Sequence, residues 1–217
     1  MDRPLSSYPA YARSERIADG VIHALGVSFA LAGASLLTLF AARHAESGRA
    51  LAVAVYGVAL MGTFIASACY HMTPWEHVRP TLRRIDHAAI FLKIAGTCTP
   101  LAVLVGGAFA WAVLAVIWVV ALFGAITRVF FWREPGWGGL ALYLGLGWLG
   151  VLLLYPLAAT LPPPALLLTV IGGGLYTLGV VFFAWESLKF SNAIWHAFVL
   201  AASGCFFAAI ALGTLTV

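Results

Sequence analysis

The stretch AFAWAVLAVIWVVALFGAIT, residues Ala108 to Thr127, holds twenty consecutive residues without a charge. At 1.5 Å per residue a helix of that length covers roughly 30 Å, the hydrocarbon thickness of a bilayer. A spanning strand would need alternating apolar and polar positions and a closed barrel, and this run is continuously apolar. It therefore predicts a transmembrane helix. Comparable windows lie at 20–42, 51–71, 85–106, 138–158, 165–186 and 193–215, giving seven in all.

Breakers fall between them at Ser47-Gly48, Pro74, Pro80, Gly106-Gly107, Pro135-Gly136, Pro162-Pro163-Pro164 and Ser191-Asn192. The expected fold is an all-α integral membrane protein, a seven-helix bundle spanning 20–217 behind a short cytoplasmic segment, 1–19. Composition agrees, because 63% of the 217 residues are hydrophobic and only 9% are charged, too apolar for a soluble domain. The first 20 residues carry Asp2, Arg3, Arg13, Glu15 and Arg16 and no apolar core, which excludes a cleavable signal peptide. Cys69, Cys98 and Cys205 sit inside apolar runs without CxxC spacing and read as small packed hydrophobes, neither a disulfide framework nor a thiolate metal site.

Seven helices place the termini on opposite sides. One side collects Arg3, Arg13, Arg16, Arg79, Arg83, Arg84, Arg128, Arg133 and Lys189, and the other only Arg43 and Arg49. Cytoplasmic loops are the ones enriched in Lys and Arg, so the N-terminus is expected inside and the C-terminus outside. Trp75, Trp132, Trp137, Trp185 and Trp195 form an aromatic belt at the same cytoplasmic ends. The net charge of +4 is thereby explained as a topology signal, with no nucleic-acid partner implied. The expected location is a membrane crossed several times, with membrane lipids as the partners.

An ionisable group buried at bilayer depth costs about 2.5–3.5 kcal/mol on insertion scales, so a cluster of them points to use. Glu15, Asp19 and His23 are spaced four apart on the first helix. Ser67 and His71 close the second at i and i+4, Asp86 and His87 open the third, and Asn192 and His196 open the seventh at i and i+4. All arrive at one membrane level. Two imidazoles from different helices and a carboxylate at one depth are the elements of a zinc site with a position left open for water.

Plainer readings apply to the same residues. A membrane histidine often only bonds a neighbouring helix, Ser67 can bond backbone, and Asp86 can cap its helix and favour its N-terminal dipole. Glu15, Asp19 and His23 read as a solvated interfacial stripe, and His77 and His87 as interfacial. Lys93, two turns beyond Asp86, reads as an ion pair or a snorkelling amine, and Thr97-Cys98-Thr99-Pro100 as a proline kink whose hydroxyls re-satisfy freed carbonyls.

At these residues the chain resembles the hemolysin III family, the bacterial branch of the progestin and adipoQ receptor group, itself similar to the alkaline ceramidases. Glu15 to His23, Ser67-xxx-His71, Arg84-Ile-Asp-His-Ala-Ala-Ile-Phe-Leu and Ala193-Ile-Trp-His-Ala-Phe-Val-Leu carry the resemblance. It implies a zinc site from one histidine of the second helix and two of the seventh, with a serine and an aspartate nearby. That role carries over onto His71 and His196, with Ser67 and Asp86 as catalytic partners of the activated water. The third ligand position falls on Asn192, and a further histidine of many bacterial members falls on Phe206.

A carboxamide is a poor zinc ligand, which leaves three outcomes open: weak binding, recruitment of Asp86 or His23, or loss of the metal. Three functions follow as expectations. The first is action on or sensing of membrane lipids through a site at the cytoplasmic leaflet, with zinc-dependent hydrolysis of a lipid amide or ester as its enzymatic form. The second is a metal-free regulator of membrane homeostasis. The third, implied by the family name, is a pore-forming cytolysin.

Overall fold

The computed structural model describes residues 11–131, 137–185 and 187–216. Asp2, Arg3, Trp132, Arg133, Pro135 and Gly136 lie outside them, as does the side chain of Trp137. The elements are α1 (Arg13–His44), α2 (Ser47–Met72), α3 (Arg79–Val105), α4 (Gly107–Phe130), α5 (Trp137–Leu149), a 3₁₀ turn (Gly150–Leu153), α6 (Leu154–Thr160), α7 (Pro163–Ala184) and α8 (Ser191–Thr216). Seven spans among the described residues are long and apolar enough to cross a membrane, with α5, the 3₁₀ turn and α6 together forming the fifth. The described residues contain no strand.

Two boundaries differ from the sequence windows in ways that matter for the site. α1 starts at Arg13, seven residues before the apolar window, and carries Glu15 and Asp19 in its first two turns, on the first helix as their spacing predicts. α3 starts at Arg79 with Pro80 in its first turn, where a missing N–H costs nothing. Asp86 consequently lies two turns inside α3 and does not cap it. The fifth span tightens at Gly150–Leu153 because Pro156 offers no N–H to the carbonyl four residues back.

Lipid gives helices no hydrophobic reason to associate, so close packing and interhelical hydrogen bonds hold the bundle. α3 is the most buried span and packs between α2 and α4, while α1 and α8 close the ring beside α2. At Gly96 of α3 a Cβ would come within 2.5 Å of the Ala59 methyl, so only glycine permits this α2–α3 approach. Polar ties cross the same contacts: Thr63 Oγ1 donates to the carbonyls of Ala59 and Ala89, and Trp118 Nε1 donates to Thr99 Oγ1 at 3.1 Å.

The hydroxyls before Pro100 behave differently from the expectation. Thr97 bonds the Lys93 carbonyl and Thr99 that of Ala95, neither being the Gly96 carbonyl that Pro100 deprives of its donor. Lys93 neither pairs nor snorkels. It is buried at mid-helix, donates to Ser203 Oγ of α8 at 2.7 Å, and lies 4.8 Å and 5.1 Å from the ring centroids of Phe64 and Tyr176.

Candidate metal centre

The end of the bundle at which α1, α3 and α8 begin and α2 finishes gathers the polar residues. His23 of α1, His71 of α2 and His196 of α8 can each offer a ring nitrogen, and these three atoms all lie within 4.8 Å of one another. Ring centroids are 5.2 Å apart for His23–His71, 4.3 Å for His23–His196 and 4.5 Å for His71–His196. Such a group could hold a metal ion.

Local sequence explains the convergence. Asp19 and His23 are one helical turn apart, as are Ser67 and His71, and Asn192 and His196, so each pair shares a face. Asp19 and His23 are each only 4% exposed, which corrects the reading of this stripe as a solvated face. Burial came from the early start of α1 and its packing against α2 and α8. His87, also expected at the interface, is likewise buried, with Tyr143 OH 3.3 Å from its carbonyl.

Hydrogen bonds fix the imidazoles. His23 Nδ1 lies 2.8 Å from the Asp19 carbonyl, which only accepts, so the proton sits on Nδ1 and Nε2 keeps a lone pair. That Nε2 is 3.2 Å from Ser67 Oγ. His196 Nδ1 donates to Asp19 Oδ1 at 2.7 Å, leaving its own Nε2 as an acceptor or ligand atom. Orientation of a ligating imidazole by a carboxylate or carbonyl on its other nitrogen is the usual outer shell of a metal site.

His71 sits between two polar partners, with Nδ1 3.3 Å from Asn192 Nδ2 and Nε2 3.9 Å from Asp86 Oδ2. Asn192 donates its amide nitrogen to Asp19 Oδ2 at 2.9 Å. The residue expected at the third ligand position therefore turns a donor toward the cluster, while a cation needs the amide oxygen. The third imidazole comes instead from His23 of the first helix. Its signal in the sequence was the four-residue spacing with Asp19 and Glu15.

Glu15 stands apart from this group. Its two carboxylate oxygens accept the backbone N–H groups of Phe190 and Ala12, each at 2.9 Å, tying α1 to the turn before α8. Phe190 has φ 65°, a left-handed conformation that costs an L-residue about 1–2 kcal/mol. Phe206 lies away from the centre, packed where a Cβ on Gly172 of α7 would meet its ring.

The family model described as "Haemolysin-III related" matches residues 11–207. This chain belongs to the haemolysin III family. It is similar to Hemolysin-3 of Bacillus cereus, with 35% identity over 194 residues that make up 89% of each chain. It is also similar to the Hemolysin-3 homolog of Bacillus subtilis strain 168, at 32% identity over 196 residues, 89% of this chain and 91% of the relative. Both relatives are bacterial, and the haemolysin III match takes in every polar residue of the centre.

Proposed function

We propose that this protein is a zinc-dependent hydrolase of lipid amides or esters in the bacterial inner membrane, with its centre at the cytoplasmic leaflet. The observation that carries the reading is the mutual approach of His23, His71 and His196, with a carboxylate on either side. The donor set fits zinc, since three imidazoles leave a fourth position open. A zinc ion held there supplies a Lewis acid for a scissile carbonyl.

The chain's own residues divide the remaining work. Asp19 orients His196 and, through its backbone carbonyl, His23. Asp86, beside His71 Nε2, is placed to take a proton from the attacking water and pass it to the leaving group. Ser67, whose hydroxyl faces His23 Nε2 at 3.2 Å, would have its hydrogen freed for the oxyanion when that nitrogen holds the metal. The cytoplasmic placement rests on the nine-to-two excess of Lys and Arg at this end of the helices.

The names of the relatives suggest a lytic activity, which in a pore would require polar side chains along the length of several helices. Here the buried ionisable groups among the described residues concentrate at the centre and at Lys93; the opposite half of the core holds Leu37, Leu101, Leu104, Ile117 and Ile210, and its buried hydroxyls, Thr97, Thr99 and Thr169, are spent on carbonyls of their own helices. That distribution favours a site over a conduit. Purified protein should contain one zinc per chain, and should release fatty acid from a bilayer-embedded lipid amide or ester in a chelator-sensitive manner. Protein free of zinc and inert after zinc addition would leave the metal-free regulator as the better reading.

A further inference from the structure

The centre is closed from below. Phe64, Lys93 and Ser203 each lie seven residues deeper than His71, Asp86 and His196, so about 10 Å beneath them on the same helix faces. Lys93 bonds Ser203 at 2.7 Å, Tyr176 bonds Ser203 at 3.0 Å, and the Phe64 ring fills the place where Gly26 lacks a Cβ. Side chains of α2, α3, α7 and α8, against the bare backbone of α1, make this floor. An acyl chain cannot pass it without stripping the lysine of its partners.

The opening is at the other side. A cavity of about 10 Å³, the size of a water molecule, reaches His71, Asp19 and Asn192 between the first turns of α1 and α8, with Arg16, Met72 and Phe190 at its mouth. Three charged groups line it. Both oxygens of Glu15 are taken by backbone N–H groups, and both oxygens of Asp19 by Asn192 and His196. Arg16 is exposed; its backbone N–H donates to the Ala12 carbonyl, and among the described residues no hydrogen bond or ion pair engages its guanidinium. One turn of α1 beside it presents Ile17 and Val21, both more than half exposed, as an apolar track outside the bundle.

We propose that the centre takes an anionic amphiphile head first, with Arg16 holding a carboxylate or phosphate at the mouth while the alkyl chain stays in the lipid along Ile17 and Val21. This deepens the hydrolase reading by naming its substrate class, and it rests on that reading only for the chemistry that follows binding. The guanidinium fork matches either oxyanion in a two-point contact, and no described residue supplies it with a partner. The reacting bond then lies near the head, because the floor keeps the deeper part of the chain out.

The test uses full-length protein in nanodiscs of zwitterionic lipid and a long-chain amphiphile bearing a diazirine beside a carboxylate head, compared with the uncharged alcohol that replaces the carboxylate by a hydroxymethyl group and has no bond to hydrolyse. Photolabelled peptides are mapped by mass spectrometry. The carboxylate probe should label residues 11–21 and 190–193 about two- to fivefold more than the alcohol, the worth of one ion pair at an exposed arginine. Arg16→Gln should erase that preference and Arg16→Lys should keep part of it. Equal labelling by the two probes, or a preference that survives in Arg16→Gln, overturns the proposal. Loss of carboxylate labelling in millimolar inorganic phosphate would identify a free anion as the ligand and overturn the amphiphile. Each measurement is made on zinc-loaded and chelator-stripped protein, so a chain that never binds zinc can still show the preference, and the failure of either idea is read separately.

Discussion

Asp19 Oδ1 and His196 Nδ1 are 2.7 Å apart, a carboxylate of the first helix holding an imidazole of the last. Removing the charge while keeping the shape isolates this contact. Asp19→Asn should weaken zinc affinity about 10–100-fold, the usual cost of losing an outer-shell partner, with helicity unchanged. Competition against a chelator of known affinity measures it. An unaltered dissociation constant would mean that Asp19 does not orient the ligand.

The choice between His23 and Asn192 as third partner of the metal has its own test. His23→Ala should reduce zinc binding by more than Asp19→Asn does, since it removes an imidazole rather than its orienter. Adding Asn192→His to His23→Ala should recover much of the loss, because an imidazole one turn before His196 shares its face. Metal content after dialysis of the two variants decides. Full zinc in His23→Ala would return the site to the α2 and α8 residues alone.

Much of this was legible beforehand, and the remainder failed for identifiable physical reasons. Seven apolar runs of bilayer length leave helices as the only choice, so the bundle was readable. The convergence of Ser67, His71, Asp86, Asn192 and His196 at one level followed from counting spans. The i, i+4 spacing of Asp19 and His23 was also plain, but its exposure was not. Whether a polar face at a helix start meets water or its neighbours depends on where the helix begins and on its rotation, and hydropathy reports neither. Polar residues before the apolar window hid the true start of α1. Lys93 was misread for a related reason: its acceptor, Ser203, lies 110 residues away in sequence.

That lysine gives a third prediction. Burying it at mid-membrane costs about 2.5–3.5 kcal/mol. The bond to Ser203 returns about 1.5–3 kcal/mol and the two ring faces about 0.5–2 kcal/mol. These nearly cancel, so Lys93→Met should change unfolding stability by no more than about 1 kcal/mol. Ser203→Ala, which strips the amine of its acceptor, should destabilise by about 1.5–3 kcal/mol with Lys93 present and by clearly less in the Lys93→Met background. Denaturation in mixed micelles of the four proteins completes the cycle. Equal effects of Ser203→Ala in both backgrounds would show that the contact contributes nothing.

The charge asymmetry yields a fourth. A reporter fused after Val217 should behave as extracytoplasmic and one inserted in the 72–84 connection as cytoplasmic. Both reporters on one side would contradict the odd number of spans, and an exchange of sides would move the centre to the outer leaflet.

The imidazoles that approach one another come from the first, second and last helices, and Asn192 follows His71 by 121 residues. At about 5–20 residues per second, a ribosome needs roughly 6–24 s to cover that interval. Throughout it, Asp19, His23 and His71 are already in the membrane without the partners that α8 brings. Nascent chains are thus exposed to quality control in that interval, and a truncation that spares six spans still yields no centre. If the centre holds the proposed zinc, its capture would be the closing event of biogenesis, a check that the final helix has arrived.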